Sequence, residues 1–448
     1  MPFWDMRHLC ETQSQVLDVF SMERNLYFSI FAVGVRGNSV TMFTHSEKSI
    51  QLLEKLKCFM AEHIYPNERA YAEQLHEAEN RFAIMPLMDE LKVKAKSQGL
   101  WNLFVPEEHA EYCDHGGLSF FDYAPLAEEM GRVVWSPEVF NCNAPDTGNM
   151  EVFMNFATPD QKEKWLKPLL AGEIRSSYAM TEPQVASSDA TNVQLEIKKE
   201  GEEWVLNGRK WFITGAMNER TKIFIVMGKS DPDNESRHLQ QTQVLVPKDT
   251  PGVKLIRPLT TLGYDDAPIG HAELVFDNVR VPLENVLLGE GRGFEIAQSR
   301  LGPGRMHHCM RLIGTGQRAL ELACKRVEDR VTFGRKLSKH QSVREEISRS
   351  FSELEMARLL VLKTSYKIDT QGVPASVDMI AATKTTIPLL VQTVIDRCMQ
   401  MHGAGGLTED YSMAEGFNYA RWCRQADGPD QVHQMALGKQ IIERFAKA

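Results

Sequence analysis

The hydrophobic period changes twice along this chain, and that double switch limits the folds open to it. Apolar residues recur at three- and four-residue spacing through 49–60, 84–98, 121–130, 137–156 and 159–170, as in helices that bury one face. From about residue 174 short runs take over, at 193–199, 203–206, 210–214, 223–227, 243–246, 253–258 and 272–281, with Gly and Pro between them. Such runs read as successive strands. Two turn signals, Glu200-Gly and Asn207-Gly208, separate the first three. After Gly289-Glu-Gly-Arg-Gly293 the helical spacing returns over 294–331, 338–370, 375–402 and 428–446. Ser136-Pro and Thr158-Pro-Asp-Gln supply helix starts, with Pro in the first turn. The chain is therefore expected to be mainly α with a central β domain, divided as 46–173, 174–288 and 289–448. Residues 1–45 match none of these patterns and stand as an unplaced N-terminal extension.

A length of 448 residues allows two or three domains and a large core. The 43% hydrophobic and 25% charged content is that of an ordinary globular protein. A formal charge of −9 argues against nucleic acid as the main partner. It leaves anionic ligands open, because a few arginines can hold a phosphate on an acidic protein. The eight cysteines form no C-x-x-C pair, which fits free thiols in a reducing compartment and suggests no metal site. His307 and His308 are adjacent, so on a helix their rings point about 100° apart and cannot share a metal unaided. They are expected to pack or to line a site.

The apolar run 26–35 is too short to span a bilayer, and no integral membrane segment is expected. Asp5, Glu11, Asp18 and Glu23 precede it, unlike an acid-poor transit peptide. The C-terminal Phe-Ala-Lys-Ala is not Ser-Lys-Leu, so no targeting signal is readable. Gly289-x-Gly291-x-Gly293 invites comparison with a dinucleotide loop, but Phe294 follows directly and no βαβ unit surrounds it. Gly403-Ala-Gly-Gly406 lies within helical sequence and lacks that context too.

The run Tyr178-Ala-Met-Thr-Glu-Pro-Gln-Val-Ala-Ser-Ser-Asp189 stands where helix gives way to strand. Its small and hydroxyl residues let a main chain approach a polar ligand; a plain surface turn is the competing reading. The run resembles the flavin-contacting signature of the acyl-CoA dehydrogenases. Four further segments resemble that family in the same order, so that the likeness covers about residues 46–448. The resemblance implies an N-terminal helical domain, a middle β-barrel-like domain and a C-terminal four-helix bundle. It also implies FAD as cofactor, with Tyr178, Met180, Thr181, Ser187 and Ser188 on the flavin wall and Ser188 also facing substrate.

The other segments carry the remaining roles that the resemblance implies. In Lys210-Trp-Phe-Ile-Thr214, Phe212 is expected against the flavin ring, where many members have Trp, and Thr214 at its N5 edge; an inner strand is the bland alternative. Leu301-Gly-Pro-Gly-Arg305 opens a helix and brings Leu301, Gly304 and Arg305 to the substrate. Some members place their catalytic Glu where this chain has Gly304, so that form of the site is excluded. A simple helix-entry role for the glycines competes. Arg330-Val-Thr-Phe-Gly-Arg-Lys336 and Gln400-Met-His-Gly-Ala-Gly-Gly406 resemble the segments that hold the FAD pyrophosphate and adenosine across a dimer interface. They bring in Arg330, Thr332, Phe333, Gln400 and Gly403, with Gln431 beyond them. An arginine fork suits a diphosphate.

Gln425-Ala-Asp427-Gly-Pro-Asp-Gln431 falls on the family's catalytic turn. Asp427 stands where the family carries the Glu that removes the α-proton, with Gly428 beside substrate; capping of the next helix is the structural alternative. With Leu-Gly-Pro-Gly-Arg, this turn resembles the branch of family members ten and eleven, whose longer chains add a kinase-like domain. Residues 1–45 are too few to hold one. The implied activity is FAD-dependent α,β-dehydrogenation of an acyl-CoA in β-oxidation, on long-chain or 4-hydroxyacyl-derived substrates. The base is expected to have its pKa raised by a closed apolar pocket. The resemblance further implies an electron-transfer flavoprotein as acceptor, a homodimer or homotetramer, and a mitochondrial or peroxisomal location. An acyl-CoA oxidase and a non-catalytic assembly protein on the same scaffold are the rival classes.

Overall fold

The computed structural model describes residues 44–446; almost all of the unplaced extension lies outside the described residues. The first helix, α1 (Glu47–Phe59), starts at Ser46, whose hydroxyl accepts the Ser49 N–H at 3.2 Å. Then follow α2 (Glu68–Glu77), α3 (Pro86–Ser97), α4 (Phe120–Met130) and α5 (Asp146–Phe156). Helix α2 lies outside the expected helical stretches: it is short and mostly polar, and it turns only Tyr71 and Leu75 to the core. The helix expected over 137–156 is broken. A 3-10 turn at Ser136–Phe140 ends where Asn141 adopts a φ of 54°, and Pro145, which has no N–H, precedes α5. Thr158 and Gln161 form the capping box that starts the helical stretch at Pro159.

The middle of the chain forms a seven-stranded sheet: β1 (Arg175–Ala179), β2 (Glu196–Glu200), β3 (Glu203–Thr214), β4 (Thr221–Lys229), β5 (Gln241–Pro247), β6 (Val253–Leu259) and β7 (His271–Pro282). Its order is β1-β4-β2-β3-β7-β6, with β5 pairing β4 as a branch. Glu200 pairs with Glu203, so Gly201-Glu202 makes the tight hairpin. Asn207-Gly208 does not turn the chain, as its sequence suggested. It sits within β3 as a register shift, where a Cβ on Gly208 would come within 2.9 Å of Leu195. Trp204, Phe224 and Phe276 lie in the core of this sheet.

The C-terminal part begins with α6 (Gly293–Asp329), which is followed by a small hairpin of β8 (Val331–Thr332) and β9 (Arg335–Lys336). Helices α7 (Gln341–Gln371), α8 (Val377–His402), α9 (Met413–Cys423) and α10 (Asp430–Ala446) complete it, and α8 packs against the other four. Leu301-Gly-Pro-Gly-Arg305 lies inside α6 rather than at its start. Helices α4 and α6 cross backbone against backbone: a Cβ on Gly314 would lie 1.8 Å from the Glu128 carbonyl oxygen. The N- and C-terminal helices therefore share one core, running from Leu56 and Phe140 to Met310 and Ile395. Among the described residues no helix is long and apolar enough to cross a membrane.

Candidate active site

The turn between α9 and α10 carries Asp427 at φ 56° and Gly428 at φ 103°. Glycine is required at 428, since a Cβ there would come within 2.7 Å of His433 Nε2. The Asp427 carbonyl oxygen accepts from Arg305 Nε at 2.9 Å and lies 3.2 Å from His433 Nε2. Lys384, buried on α8, donates to the Cys423 carbonyl and closes the loop from beneath. The carboxylate faces α6: Asp427 Oδ2 is 3.8 Å from His308 Nε2, and a Cβ on Gly304 would lie 3.5 Å from it. His308 Nδ1 in turn meets the Tyr419 hydroxyl at 3.1 Å. Among the described residues no N–H of α10 bonds the Asp427 carboxylate, and the Asp427 N–H makes no hydrogen bond.

Burial alone would push the Asp427 carboxyl upward, but His308, Arg300, Arg305 and Lys384 outweigh it and hold the group below its usual range. The expected upward shift is thus reversed, because the pocket floor is cationic rather than apolar. Burial and the Arg311 charge push His308 itself down to about 3. The standing charge around the carboxylate therefore comes from the two arginines and the lysine.

A cavity of about 420 Å³ opens beside this turn, between α4, α5, α6 and α8. Phe104, Phe120, Val152, Phe156 and Ile380 form its apolar wall, while Glu151, Asn155, Arg300, Arg305 and His433 supply polar groups. Arg305 and His433 are the two residues that grip the Asp427 main chain, so Asp427 stands directly behind the cavity wall. Burial, only partly offset by Arg300, pushes Glu151 up to about 8. The Arg300 guanidinium lies 4.2 Å from the Tyr178 ring centroid and donates to Asn149 Oδ1 at 3.0 Å.

Tyr178 brings in the sheet. Its hydroxyl accepts from Gln243 Nε2 at 2.7 Å. The run that follows is fastened to β3 and β2, where the Thr181 carbonyl accepts the Trp211 N–H at 3.0 Å. The Glu182 carboxylate takes Lys210 Nζ at 2.8 Å and the Gln194 and Leu195 N–H groups at 2.7 and 2.8 Å. Burial pushes Lys210 down to about 8. Ser187 accepts the Glu182 N–H at 2.9 Å and so holds the loop itself. Met180 is half-buried, Ser188 is exposed, and the hydroxyls of Thr181 and Ser188 form no hydrogen bond among the described residues. Next to them a bulge between Lys210 and Ile213 turns Phe212 outward at φ 51°, leaving it 41% exposed. An exposed aromatic face beside free hydroxyls and main-chain groups fits a flat cofactor with a polar edge.

Arg330, Thr332 and Phe333 lie on or beside the β8–β9 hairpin, where Phe333 is 96% exposed. Gln400 is exposed near the end of α8, which Gly403 closes at φ 64°, and Arg326 Nη2 reaches the His402 carbonyl at 3.4 Å. These residues form a second group. Among the described residues no hydrogen bond or ring contact joins it to the Tyr178 run. Leu301 is half-buried on α6, and Gln431 is exposed on α10. Neither they nor Gly304, Gly428 and Ser188 line the cavity. Sequence reasoning did not single out Arg300, Glu151, Lys384, His433, Asp266 or His271. Glu151, Lys384 and His433 stand alone in their stretches of chain, whereas Arg300 adjoins the Leu301–Arg305 segment and the acidic Asp265-Asp266 loop lies just before His271.

Sequence profiles of the acyl-CoA dehydrogenase N-terminal, middle and C-terminal domains match residues 46–173, 177–279 and 291–442. Over 431 residues the chain is 47% identical to acyl-CoA dehydrogenase family member 11 of Gallus gallus, covering 95% of this chain and 54% of that one. It therefore spans about half the length of that relative. Over 407 residues it is 45% identical to the probable acyl-CoA dehydrogenase FadE2 of Mycobacterium tuberculosis, covering 90% of this chain and 97% of that one. A solved structure from Mycobacterium abscessus superposes with a TM-score of 0.86 at 44% identity, over 90% of this chain and all of that one. Fold and profiles together define a three-domain scaffold of the acyl-CoA dehydrogenase type. The chain belongs to the acyl-CoA dehydrogenase family.

Proposed function

We propose that Asp427 is the base that removes the α-proton of the acyl-CoA, in a β-oxidation step that leaves the 2-enoyl-CoA. The observation that carries this reading is a half-buried carboxylate held in its charged form, aimed at the space over Gly304 and backed by two residues of the 420 Å³ cavity. A base must be ionised to act, and the flanking cations keep it so. Arg305 and His433 fix its main chain, which leaves the Asp427 N–H free to donate to the thioester oxygen as enolate charge develops there. FAD, when bound, supplies the acceptor for the β-hydrogen. Tyr178, Met180, Thr181, Ser187, Ser188, Phe212 and Thr214 would form its ring wall.

The exposed group at Arg330, Thr332, Phe333, Gln400 and Gly403, with Gln431, is proposed to hold the adenosine diphosphate end of the FAD of a second copy. The nearly complete exposure of Phe333 supports a homodimer or a homotetramer built from such dimers. The polar groups along an otherwise apolar cavity support acyl chains that carry an oxygen substituent, such as those derived from 4-hydroxyacyl-CoA, alongside long plain chains. An electron-transfer flavoprotein as acceptor and a mitochondrial or peroxisomal site belong to the same proposal.

Anaerobic titration of the purified protein with acyl-CoAs of varied length and 4-substitution tests it. Asp427→Asn is expected to keep its FAD while bleaching by substrate slows about 100- to 10,000-fold. Bleaching at the wild-type rate would remove Asp427 as the base.

A further inference from the structure

A second chain of polar groups lies on the sheet side of the site and takes no part in proton abstraction. Thr214 ends β3 and His271 begins β7, and the two are partners in the antiparallel ladder. Thr214 Oγ1 is 3.0 Å from His271 Nδ1, and His271 Nε2 is 2.7 Å from Asp266 Oδ2. Asp266 is fixed in turn. Its Oδ2 accepts from the Thr261 hydroxyl at 3.2 Å, its Oδ1 lies 3.5 Å from Asn418 Nδ2, and its carbonyl accepts the Gly270 N–H at 2.8 Å. It holds a φ of 50°, in the left-handed region that Asp tolerates better than most residues. The buried His271 ring sits between Phe212, at 6.4 Å, and Trp422, at 6.0 Å. Trp422 also packs edge-on against His308 at 5.6 Å, so the array abuts the Asp427 side of the site.

The hydrogens in this chain can be assigned. An ionised carboxylate only accepts, so Asp266 places a hydrogen on Nε2 of His271. With the ring neutral, Nδ1 then offers only a lone pair, and the Thr214 hydroxyl must donate to it. Its one hydrogen is thereby committed, and Thr214 presents only lone pairs to anything bound in front of it. We propose that Asp266 and His271 are positioning residues that hold the Thr214 hydroxyl as a hydrogen-bond acceptor toward the flavin ring edge. A lone pair there suits the reduced ring, whose edge nitrogen carries a hydrogen, and opposes the oxidised ring, whose nitrogen needs a donor. The Asp266–His271–Thr214 array thereby makes the bound cofactor easier to reduce. This rests on the FAD reading above, and on Thr214 lying at the N5 edge.

The test is the reduction potential of FAD bound to the purified protein, read by equilibration with a reference dye. His271→Leu frees the Thr214 hydroxyl to donate, so the reduction equilibrium is expected to weaken at least about tenfold, or about 30 mV for a two-electron couple. In a Thr214→Val background the same substitution should change it less than about twofold, because the two effects run through one hydrogen bond. A purely structural role for His271 would not vanish in that background. Asp266→Asn keeps the side-chain volume and should shift the potential in the same direction by less, which preserves the test if the leucine variant does not fold. A yellow protein whose potential is unchanged or raised by His271→Leu overturns the array alone. A wild-type protein that takes up no FAD overturns both the array and the reading on which it rests.

Discussion

Arg305 Nε donates to the main-chain oxygen of Asp427 at 2.9 Å, so a single guanidinium anchors the turn between α9 and α10 and lends its charge to the carboxylate on the same residue. Removing that charge leaves only Arg300 and Lys384 to oppose burial, so the Asp427 pKa must rise. At a given acid pH less of the enzyme then holds the ionised base. The acid limb of the kcat/KM profile in Arg305→Met is therefore expected to move to higher pH, while Arg305→Lys, which keeps the charge, leaves the limb near its wild-type position. Profiles of kcat/KM against pH for the two variants decide it; coincident acid limbs would show that Arg305 only anchors the turn.

Glu151 makes stability fall as pH rises. Its ordinary carboxyl value of 4.5 is pushed up to about 8 in the folded protein. Below the lower value both states hold the proton and no penalty exists. Between the two values the unfolded chain releases a proton that the folded chain keeps, so unfolding becomes easier with each step in pH, and the penalty is complete above about pH 8. Glu151→Gln removes this linkage. It is expected to match the wild type near pH 4 and to exceed it by about 1–3 kcal/mol above pH 8. Urea melts at those two pH values measure the difference, and equal gains at both would refute the assignment.

The three-part organisation was legible because period alone separates helix from strand, and the glycines of the catalytic turn stand next to the acid they serve. What escaped has physical reasons. β1 reads Arg-Ser-Ser-Tyr-Ala, with no alternation and little aliphatic content, yet it is buried because it pairs in parallel with β4, a partner some 45 residues away. Asn207-Gly208 has the composition of a turn but serves as a bulge, since Gly208 lets β3 pass close to Leu195. The polarity around Asp427 was misjudged for a related reason. Arg300 and Arg305 lie in or beside a motif, but Lys384 comes from another helix, and only the fold shows that these three charges converge on one carboxylate while His433 meets the main-chain oxygen of the same residue. His271 and Asp266 likewise gain meaning from the ladder that sets them against Thr214.

Two glycines of α6 separate substrate access from packing. A Cβ on Gly304 meets only Asp427 Oδ2, at 3.5 Å, which is ordinary contact, whereas one on Gly314 would lie 1.8 Å from the Glu128 carbonyl oxygen. Gly304→Ala also gains up to about 1 kcal/mol of helix propensity. It is expected to fold with an unchanged or higher Tm, while its methyl group stands where the α-carbon of the substrate must reach the base. A tenfold or larger fall in kcat/KM follows, since an ångström of misplacement at a reacting centre is worth about 100-fold. Gly314→Ala forces α4 and α6 apart and should cost about 3 kcal/mol or more in a core shared by both helical parts. Thermal melts and acyl-CoA turnover on the same pair of variants test both halves. If Gly304→Ala turned over substrate at the wild-type rate, the space above Gly304 would not be the route by which the thioester meets Asp427.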